Sequence, residues 1–449
     1  MLKEVLRNAT PSEREKAKEK ETAEKVMDRI KKMKGKHTGV KLCGSIARDT
    51  HLKGDRDIDI FVLFPESMPR AEFEREGLRI GRKAFRGNEC WEEYSEHPYI
   101  KGIIDGFEIE VVPSYKVKQA SRLKSSVDRS PFHQQFLSKR LTPKKKSEVR
   151  LLKAFLKGID CYGAKIEKEG FSGYLAELLI LKYGSFKECL SAAKKWKPGI
   201  SLALSKTGSK KKFDAPLAFI DPTDKKRNVA AALSEEQFAR FVAAARAFLE
   251  KPHKKFFYPK RKSSISKKRM RKLIGVDQMY ALRMPFPSKA PSDVIWGQMR
   301  RFSKLLQKRL ESEDFLVRRI ALFAEDGKEI NYFVELESME LNDTAIFLGP
   351  FAWDEANSKA FKKKHFTPLT GPRIEAGRWV VEEKRRHTNA LGLAKIFLRE
   401  RRKLEKMPMK KALAKAEFLE KKEFLRKARA NAFFKYNLSR FLEGTESFL

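Results

Sequence analysis

Residues 43–63, CGSIARDTHLKGDRDIDIFVL, decide which fold the sequence encodes. The stretch opens on a Gly-Ser pair and closes on carboxylates that alternate with large apolar residues. Side chains two residues apart on a strand project from the same face, so Asp57 and Asp59 present their carboxylates together while Ile58 and Ile60 point into a core. Like charges held this close resist ionisation unless a cation lies between them, which indicates a divalent metal site.

The residues before the aspartate pair favour a functional site rather than a charged turn that leads into an ordinary strand. Gly44 and Ser45 follow an apolar strand that ends at Cys43, and they begin a predicted helix. Backbone N–H groups at the start of a helix, together with a hydroxyl, are suited to bind phosphate. Arg48 lies one turn later.

The downstream flank supplies a third carboxylate. A second alternating strand, FEIEVVP at 107–113, brings Glu108 or Glu110 to the same face as the aspartate pair. Asp55 also lies on that face, but it fits a simple turn residue. The sequence therefore predicts three carboxylates around a two-metal site.

The spacing of these parts resembles the signature of the DNA polymerase beta-like nucleotidyltransferase superfamily. The signature is a Gly-Ser pair, eleven residues, an alternating aspartate pair and a distant acidic strand. The resemblance implies that Asp57, Asp59 and Glu110 bind two Mg²⁺ ions. A 3'-hydroxyl would then attack an α-phosphate, and pyrophosphate would leave.

A closer resemblance is to the archaeal, class I CCA-adding enzymes, which add CCA to the 3' end of tRNA without a nucleic-acid template. It rests on segments that occur in the family's order, namely GSIARDTHLKGDRDIDIFVLFP, SEHPYIKG, EIEVVPSYKV, SSVDRSPFH, EVRLLKAFLK, CYGAKI, GFSGYLAELLI and DPTDKKRNVAAALS. The match is strong over residues 1–250 and looser over GPFAWDEANSKAFKKKHFTPLTGPRIEAGRWVVEE. The last fifty or so residues do not resemble the family clearly.

This resemblance implies roles for residues that bind the substrates CTP and ATP. The nucleotide contacts that it implies are Gly44, Ser45, Arg48, His133, Lys153, Tyr162 and Arg227. Among these, Ser45 and Arg48 would hold the triphosphate and Arg227 would help to read the base. The family commonly has Glu at the position of Asp57 and Asp at that of Glu110, which leaves the geometry of the Glu110 ligand open.

Four of these residues also have ordinary structural interpretations. His133 fits a half-buried position on an amphipathic helix, and Lys153 fits a lysine whose stem covers an apolar face. Tyr162 fits a helix end beside Gly163, and Arg227 fits a solvated cation.

The net charge points to a polyanionic partner. The 449 residues include 98 Lys+Arg against 59 Asp+Glu, a formal net charge of +39 spread along the chain. Nucleic acid is favoured over an anionic membrane, because no basic amphipathic helix is paired with a lipid anchor or hydrophobic span. A proteome that is basic throughout would also give this balance. We expect tRNA as the partner, held mainly through its backbone by cations along 253–272 and 395–436.

Cysteine and histidine spacing argue against a zinc site. The four cysteines lie far apart without a CxxC pair, and the seven histidines make no metal-binding motif. The N-terminus has no apolar signal core, and no apolar run reaches about 18 residues. We expect a reduced, cytoplasmic protein without a membrane anchor, and the family resemblance suggests a homodimer.

The fold class that we predict is multidomain α+β. The expected domains are a polymerase beta-like head of mixed sheet and helices at 1–145, a helical neck that recognises the nucleotide at 146–256, an α+β, ferredoxin-like or RRM-like RNA-binding body at 257–380 and a basic helical tail at 381–449. Thr10 is predicted to cap a helix that runs to about Met33. Phe418, Leu425 and Ala432 are predicted at heptad spacing on tail helices.

Two other functions compete with CCA addition. A poly(A) polymerase or an oligoadenylate synthetase would share the carboxylate triad, but RSPFH and DPTDKKRNVAA favour the CCA-adding family. A non-catalytic basic RNA-binding protein would have no need for all three carboxylates.

Overall fold

The computed structural model describes the chain except for residues 120–121, 206–212, 259–264, 277, 288–291, 326, 401–403, 405–406, 447 and 449. Parts of both predicted tRNA-contacting basic stretches lie outside the described residues. The chain divides into two compact units. The first unit is Met1–Arg261 with Glu446–Leu449, and the second is Lys262–Thr445.

The first unit contains a five-stranded sheet and two groups of helices. Its helices are α1 Leu2–Ala9, α2 Glu13–Lys31, α3 Gly44–Ala47, α4 Arg70–Ala84, α5 Ser130–Ser138, α6 Pro143–Gly158, α7 Gly173–Tyr183, α8 Phe186–Ala193 and α9 Glu235–Glu250. Its strands are β1 Gly39–Cys43, β2 Asp57–Pro65, β3 Cys90–Tyr94, β4 Pro98–Ile104, β5 Phe107–Lys116, β6 Ile200–Leu202 and β7 Leu217–Phe219.

The large sheet is mixed, with strand order β1-β2-β5-β4-β3. The β2–β5 pair is parallel and the other pairs are antiparallel. Helices α2 and α4 contribute Val26 and Phe73 to a core with Ile58, Ile60 and Ile109 from the central strands. This core confirms that Ile58 and Ile60 point inward, because both side chains are 0% exposed. The opposite face carries the acidic side chains of β2 and β5 together with a small apolar cluster of Cys43, Phe61 and Val112.

A second core lies among the helices of the same unit. Phe155 of α6 lies against the rings of Phe186, Phe241 and Phe248, with ring centroids 5.5 to 6.3 Å apart. Val5 of α1 is buried in the same core. This core gives α6 and α7 a fixed position, and both helices carry charged residues of the candidate site.

The predicted cap of the first long helix is wrong. Ser12, not Thr10, caps α2, and it forms a reciprocal capping box with Glu15. The Thr10 hydroxyl instead donates to the Leu6 carbonyl at 2.7 Å, at the end of α1. Thr10 and Ser12 each have Glu three residues later, so the capping pattern alone could not choose between them.

The second unit is built from two sheets and further helices. Its helices are α10 Lys267–Val276, α11 Ser292–Glu311, α12 Glu355–Lys364, α13 Ala390–Arg399, α14 Lys410–Leu413, α15 Lys421–Ala430 and α16 Ala432–Glu443. Its strands are β8 Gln278–Pro285, β9 Val317–Glu325, β10 Glu329–Leu336, β11 Thr344–Phe351, β12 Thr370–Glu375, β13 Arg378–Lys384 and β14 Glu417–Leu419.

The larger sheet of this unit is antiparallel, with strand order β14-β8-β10-β9. The smaller sheet has the order β11-β13-β12. The predicted helical heptad over Phe418 is wrong, because Phe418 lies in β14 opposite Leu282 of β8. The region predicted as a helical tail therefore contributes a strand to the sheet. In the described part of the chain, no helix is long and apolar enough to cross a membrane.

Candidate active site

The three predicted carboxylates meet on the polar face of the large sheet. Strands β2 and β5 pair in parallel, with Asp57 opposite Glu108 and Asp59 opposite Glu110. The alternation of side chains places all four carboxylates on one face. The sheet therefore holds the acidic groups at adjacent positions of two central strands.

The three predicted metal ligands have raised pKa values. Burial, with added repulsion from Glu110 and Asp57, raises the pKa of Asp59 to about 7. Partial burial also raises the pKa of Asp57 and of Glu110. A divalent cation would relieve this repulsion, and carboxylate oxygens are the ligands that Mg²⁺ prefers. The donor set therefore fits a magnesium site.

An ammonium group lies among the same carboxylates. Lys101 of β4 places its Nζ 2.8 Å from Glu108 Oε2 and 3.3 Å from Glu110 Oε1. Among the described residues, no group of three His, Cys, Asp or Glu side chains is already arranged to hold a metal ion.

Gly44 allows the backbone to approach Asp59. Its φ is +77°, and a Cβ built at this position would lie 1.8 Å from Asp59 Oδ2. Ser45 follows in the single turn of α3, and its carbonyl accepts from the Thr50 N–H at 2.9 Å. Gly44 of the predicted phosphate-facing pair thus lies directly beside a predicted metal ligand.

Replacing Gly44 with alanine should lower the rate of nucleotide incorporation about 100-fold, because displacement of a reacting group by about 1 Å has an effect of that size. The new methyl group would force Asp59 away. Gly54→Ala is the matched control, since Gly54 also has a positive φ, +81°, but no atom of the described residues lies within 4 Å of its built Cβ. Equal rates for the two variants would show that the close approach to Asp59 is irrelevant. Steady-state incorporation of labelled nucleotide measures both.

Arg48 and Lys153 are bound to a buried carboxylate that the sequence did not single out. Glu177 of α7 is 0% exposed, and its Oε1 accepts from Arg48 Nε at 3.1 Å and from the Thr50 hydroxyl. Lys153 Nζ lies 3.7 Å from the same oxygen and donates to the Thr50 carbonyl at 3.0 Å. Gln134 accepts from Arg48 Nη1 at 2.9 Å. Arg48 and Lys153 thus converge on one anion.

The charged groups in this cluster shift one another's pKa values. Burial alone would raise the pKa of Glu177, but the cations Arg48 and Lys153 outweigh it and lower that pKa. Burial lowers the pKa of Lys153 to about 8. The side chain of Lys153 is 1% exposed, so it does not reach water as a lysine on an apolar face usually does.

Tyr162 meets Lys153 at the start of α7. A Cβ built on Gly173 would lie 3.0 Å from Tyr162 Oη and 3.5 Å from Lys153 Nζ. The absence of a side chain at Gly173 therefore lets both polar groups reach the helix start. Lys157 Nζ lies 5.7 Å from the centroid of the Tyr162 ring.

His133 and Arg227 converge on a second buried carboxylate, Asp221. His133 Nε2 lies 2.9 Å and Arg227 Nη1 lies 2.8 Å from Asp221 Oδ2. Tyr174 donates its hydroxyl to Asp221 Oδ1 at 3.2 Å, and its ring stacks on His133 with centroids 3.9 Å apart. Burial alone would raise the pKa of Asp221, but the bonds from His133 and Thr223 outweigh it and hold that pKa well below its usual range.

A cleft of about 310 Å³ joins parts of these clusters. Predicted residues that line it are Gly44, Arg48, Asp59, Glu110 and His133. Tyr174, His97 and Tyr99 line it as well. Arg227 instead lines a neighbouring cavity of about 910 Å³. The cleft thus brings together two of the acidic residues, Asp59 and Glu110, and Arg48, which is predicted to hold the triphosphate.

Three family models match successive parts of the chain. They are a nucleotidyltransferase domain over residues 23–133, the second domain of tRNA nucleotidyltransferase over 147–258, and the C-terminal domain of the CCA-adding enzyme over 277–424. The CCA-adding enzyme of Pyrobaculum neutrophilum is 37% identical over 87% of this chain and 91% of its own length. The chain belongs to the family of CCA-adding enzymes.

Other CCA-adding enzymes are equally similar to this chain. That of Archaeoglobus fulgidus is 38% identical over 86% of each chain. That of Methanothermobacter thermautotrophicus is 35% identical over 80% of this chain and 78% of its own. As a member of the CCA-adding family, the protein is a nucleotidyltransferase, and the superfamily generally uses nucleoside triphosphates with a divalent metal. The alternative assignments as a poly(A) polymerase, an oligoadenylate synthetase or a non-catalytic protein are not favoured.

Solved structures match part of this chain. A cytoplasmic RNA terminal U-transferase is 15% identical with a TM-score of 0.44, over 57% of this chain and 96% of that one. A poly(U) polymerase is 14% identical with a TM-score of 0.46 over the same shares.

Sequence reasoning missed several residues of this CCA-adding enzyme's candidate site. They are Lys101, Gln134, Tyr174, Glu177 and Asp221. Glu177 had a usable signal, because it is the one acidic residue in the apolar segment GYLAELLI, where a buried charge needs a partner. Asp221 opens the motif DPTDKKRN, in which only the arginine was singled out.

Proposed function

We propose that this chain adds CCA to the 3' end of tRNA, using CTP and ATP, by nucleotidyl transfer at the face shared by β2 and β5. The observation that carries the proposal is the parallel register that sets Asp59 opposite Glu110 beside Gly44. Membership of the CCA-adding family supports the same activity. The cleft beside these residues has room for a nucleotide.

Asp57, Asp59 and Glu110 are the residues that we assign as ligands of two Mg²⁺ ions. Bound Mg²⁺ would supply activation of the 3'-hydroxyl and neutralisation of charge on the phosphates. The protein's own part is to hold three oxygen ligands on rigid strands and to keep a nucleotide in reach of them. Glu110 has one more methylene than the aspartate common in the family, which leaves the geometry of this ligand open.

Ser45 and Arg48 are the residues that we assign to the triphosphate, and Lys153 and Tyr162 are assigned as further contacts of the nucleotide. Glu177 holds Arg48 by its Nε and Gln134 holds it by Nη1, so that, among the described residues, Nη2 of the guanidinium is left for a ligand. The fixed guanidinium would orient the leaving pyrophosphate.

Asp221 fixes the two residues that we assign to base recognition. It binds His133 and Arg227 through one oxygen, and Tyr174 through the other. The His133 ring, which is stacked on Tyr174, would provide a flat surface for a base. The oriented guanidinium of Arg227 would provide directed hydrogen-bond donors.

Substituting Asp221→Asn should raise the KM for CTP and for ATP about tenfold, because a neutral amide loses the charge-assisted bonds that orient His133 and Arg227. The turnover number should change much less, since the metal-binding carboxylates are untouched. Asp224→Asn is the control, because Asp224 pairs with Arg129 at 3.2 Å and not with His133. A larger change in turnover number than in KM would contradict a role in base recognition.

The second unit and the basic stretches are proposed to bind tRNA. The antiparallel sheet with order β14-β8-β10-β9 follows the order of a ferredoxin-like fold, with the β11–β13 sheet inserted. The four predicted domains, a homodimer and a cytoplasmic location stay predictions of the sequence. Contacts with the RNA backbone would make tRNA affinity fall as salt rises.

The experiment that tests the function supplies tRNA that ends at the discriminator base, in C or in CC. Labelled CTP or ATP is given separately with Mg²⁺. The expected result is CMP addition to the first two substrates and AMP addition only to the third. Incorporation of ATP on all three substrates without CTP would contradict the proposal and favour a poly(A) polymerase.

A further inference from the structure

Lys101 occupies a position in the acidic cluster that neither the motif nor the assigned ligands explain. Its Nζ lies 2.8 Å from Glu108 Oε2 and 3.3 Å from Glu110 Oε1, and its side chain is 18% exposed. Lys101 lies on β4 directly opposite Glu110 of β5. Backbone pairing within the sheet therefore holds the ammonium beside these carboxylates.

The Lys101 ammonium has opposite effects on the site without divalent metal and on the site with metal bound. Without divalent metal, one positive charge offsets part of the repulsion among Asp57, Asp59 and Glu110. With metal bound, the same charge would repel the ion, and Glu110 would have to share its oxygens between the ammonium and the ion. The Glu110 side chain has an extra methylene and can move between these partners.

We propose that Lys101 is an internal counter-ion that holds Glu110 when no divalent metal is bound and competes with the metal for that carboxylate. Lys101 is then a positioning residue that sets how much divalent metal the enzyme needs. This inference rests on the proposed metal site at Asp57, Asp59 and Glu110.

A purely structural ion pair between neighbouring strands would behave differently. Its removal would lower stability to the same extent with and without metal, and would leave the affinity for metal unchanged. Competition instead predicts that removal of the ammonium weakens the metal-free protein and strengthens metal binding.

The test measures Mn²⁺ binding to the full-length protein by electron paramagnetic resonance of the free ion. In Lys101→Gln the dissociation constant for Mn²⁺ is expected to fall about tenfold, the change that follows loss of one partly buried charge contact. The thermal midpoint in EDTA should fall below that of the wild type, and Mn²⁺ should restore it. Lys101→Arg keeps the charge and should bind Mn²⁺ much as the wild type does.

Lys165→Gln is the matched control. Lys165 is exposed, and its charge lowers the pKa of Glu108 and opposes the rise in that of Glu110. Lys165→Gln removes one positive charge near the same carboxylates and keeps the direct contacts of Lys101 with Glu108 and Glu110. The Mn²⁺ dissociation constant should change less than about twofold, because an exposed charge is screened by solvent and salt.

The Asp59→Ala variant distinguishes failure of the Lys101 role from failure of the proposed metal site. If Asp59→Ala loses tight Mn²⁺ binding while Lys101→Gln binds Mn²⁺ as the wild type does or more weakly, the role of Lys101 is wrong and the metal site stands. If Asp59→Ala binds Mn²⁺ like the wild type, the proposed metal site fails and the role of Lys101 fails with it.

Discussion

Asp59→Ala should lower the incorporation of CMP and AMP by at least about 10³-fold, because a ligand that positions the catalytic metal acts directly on the transition state. The affinity for tRNA should change less than about threefold, since the RNA is proposed to bind through cations elsewhere. Single-turnover incorporation and a filter-binding titration with labelled tRNA measure the two effects separately. Loss of nucleotide incorporation together with loss of tRNA affinity would indicate misfolding rather than loss of a metal ligand.

Asp55→Asn is the matched control for Asp59→Ala. Asp55 precedes the same strand, but it accepts from the Leu52 N–H at 3.0 Å and pairs with Lys157 at 2.7 Å. We expect its incorporation rate to stay within about threefold of the wild type, because Asp55 holds the turn and is not one of the proposed metal ligands. An Asp59→Ala variant that incorporates CMP at the normal rate would show that the assignment of the site is wrong.

Glu177→Ala is expected to destabilise the first unit by about 3 to 5 kcal/mol, because it leaves two buried cations without their anion. Glu177 is 0% exposed, and Arg48 and Lys153 are 9% and 1% exposed at the side chain. Thermal unfolding of the full chain should show a midpoint lower by more than about 5 °C. The remaining folded protein should also bind CTP more weakly, since Arg48 is no longer held.

Two further variants keep the Glu177 prediction testable. Glu177→Gln preserves the volume and one acceptor oxygen, so it should fold even if the alanine variant does not. Glu236→Ala removes one partner of an exposed ion pair with Arg240, at 2.7 Å and with Glu236 77% exposed, and should shift the midpoint very little. A Glu177→Ala midpoint equal to that of Glu236→Ala would contradict the importance of the buried cluster.

Strands β1, β2 and β5 and the faces of β2 and β5 could be predicted from the sequence because they depend on local alternation. Strand β1 ends at Cys43 as predicted, and β2 and β5 lie where the alternation placed them. The register between β2 and β5 could not be predicted, because alternation puts both Glu108 and Glu110 on the correct face. In the structure Glu108 lies opposite Asp57 and Glu110 lies opposite Asp59, and of these two glutamates Glu110 is the one that lines the cleft with Asp59.

The buried clusters could not be predicted because their partners are far apart in the chain. Arg48 and Glu177 are 129 residues apart, and His133 and Asp221 are 88 residues apart. Strand β3 was missed because its residues are mostly exposed and show no alternation of burial. Lys101 was missed with the β3–β4 hairpin, since its importance depends on β4 pairing with β5.

The central claim is that Asp57, Asp59 and Glu110 form one metal-binding set. The measurement that tests it most directly counts the Mn²⁺ ions bound per chain in the presence of a CTP analogue that cannot react. We predict two tightly bound ions in the wild type and a loss of tight binding in Asp59→Ala. The same number of tightly bound ions in both proteins would contradict the account.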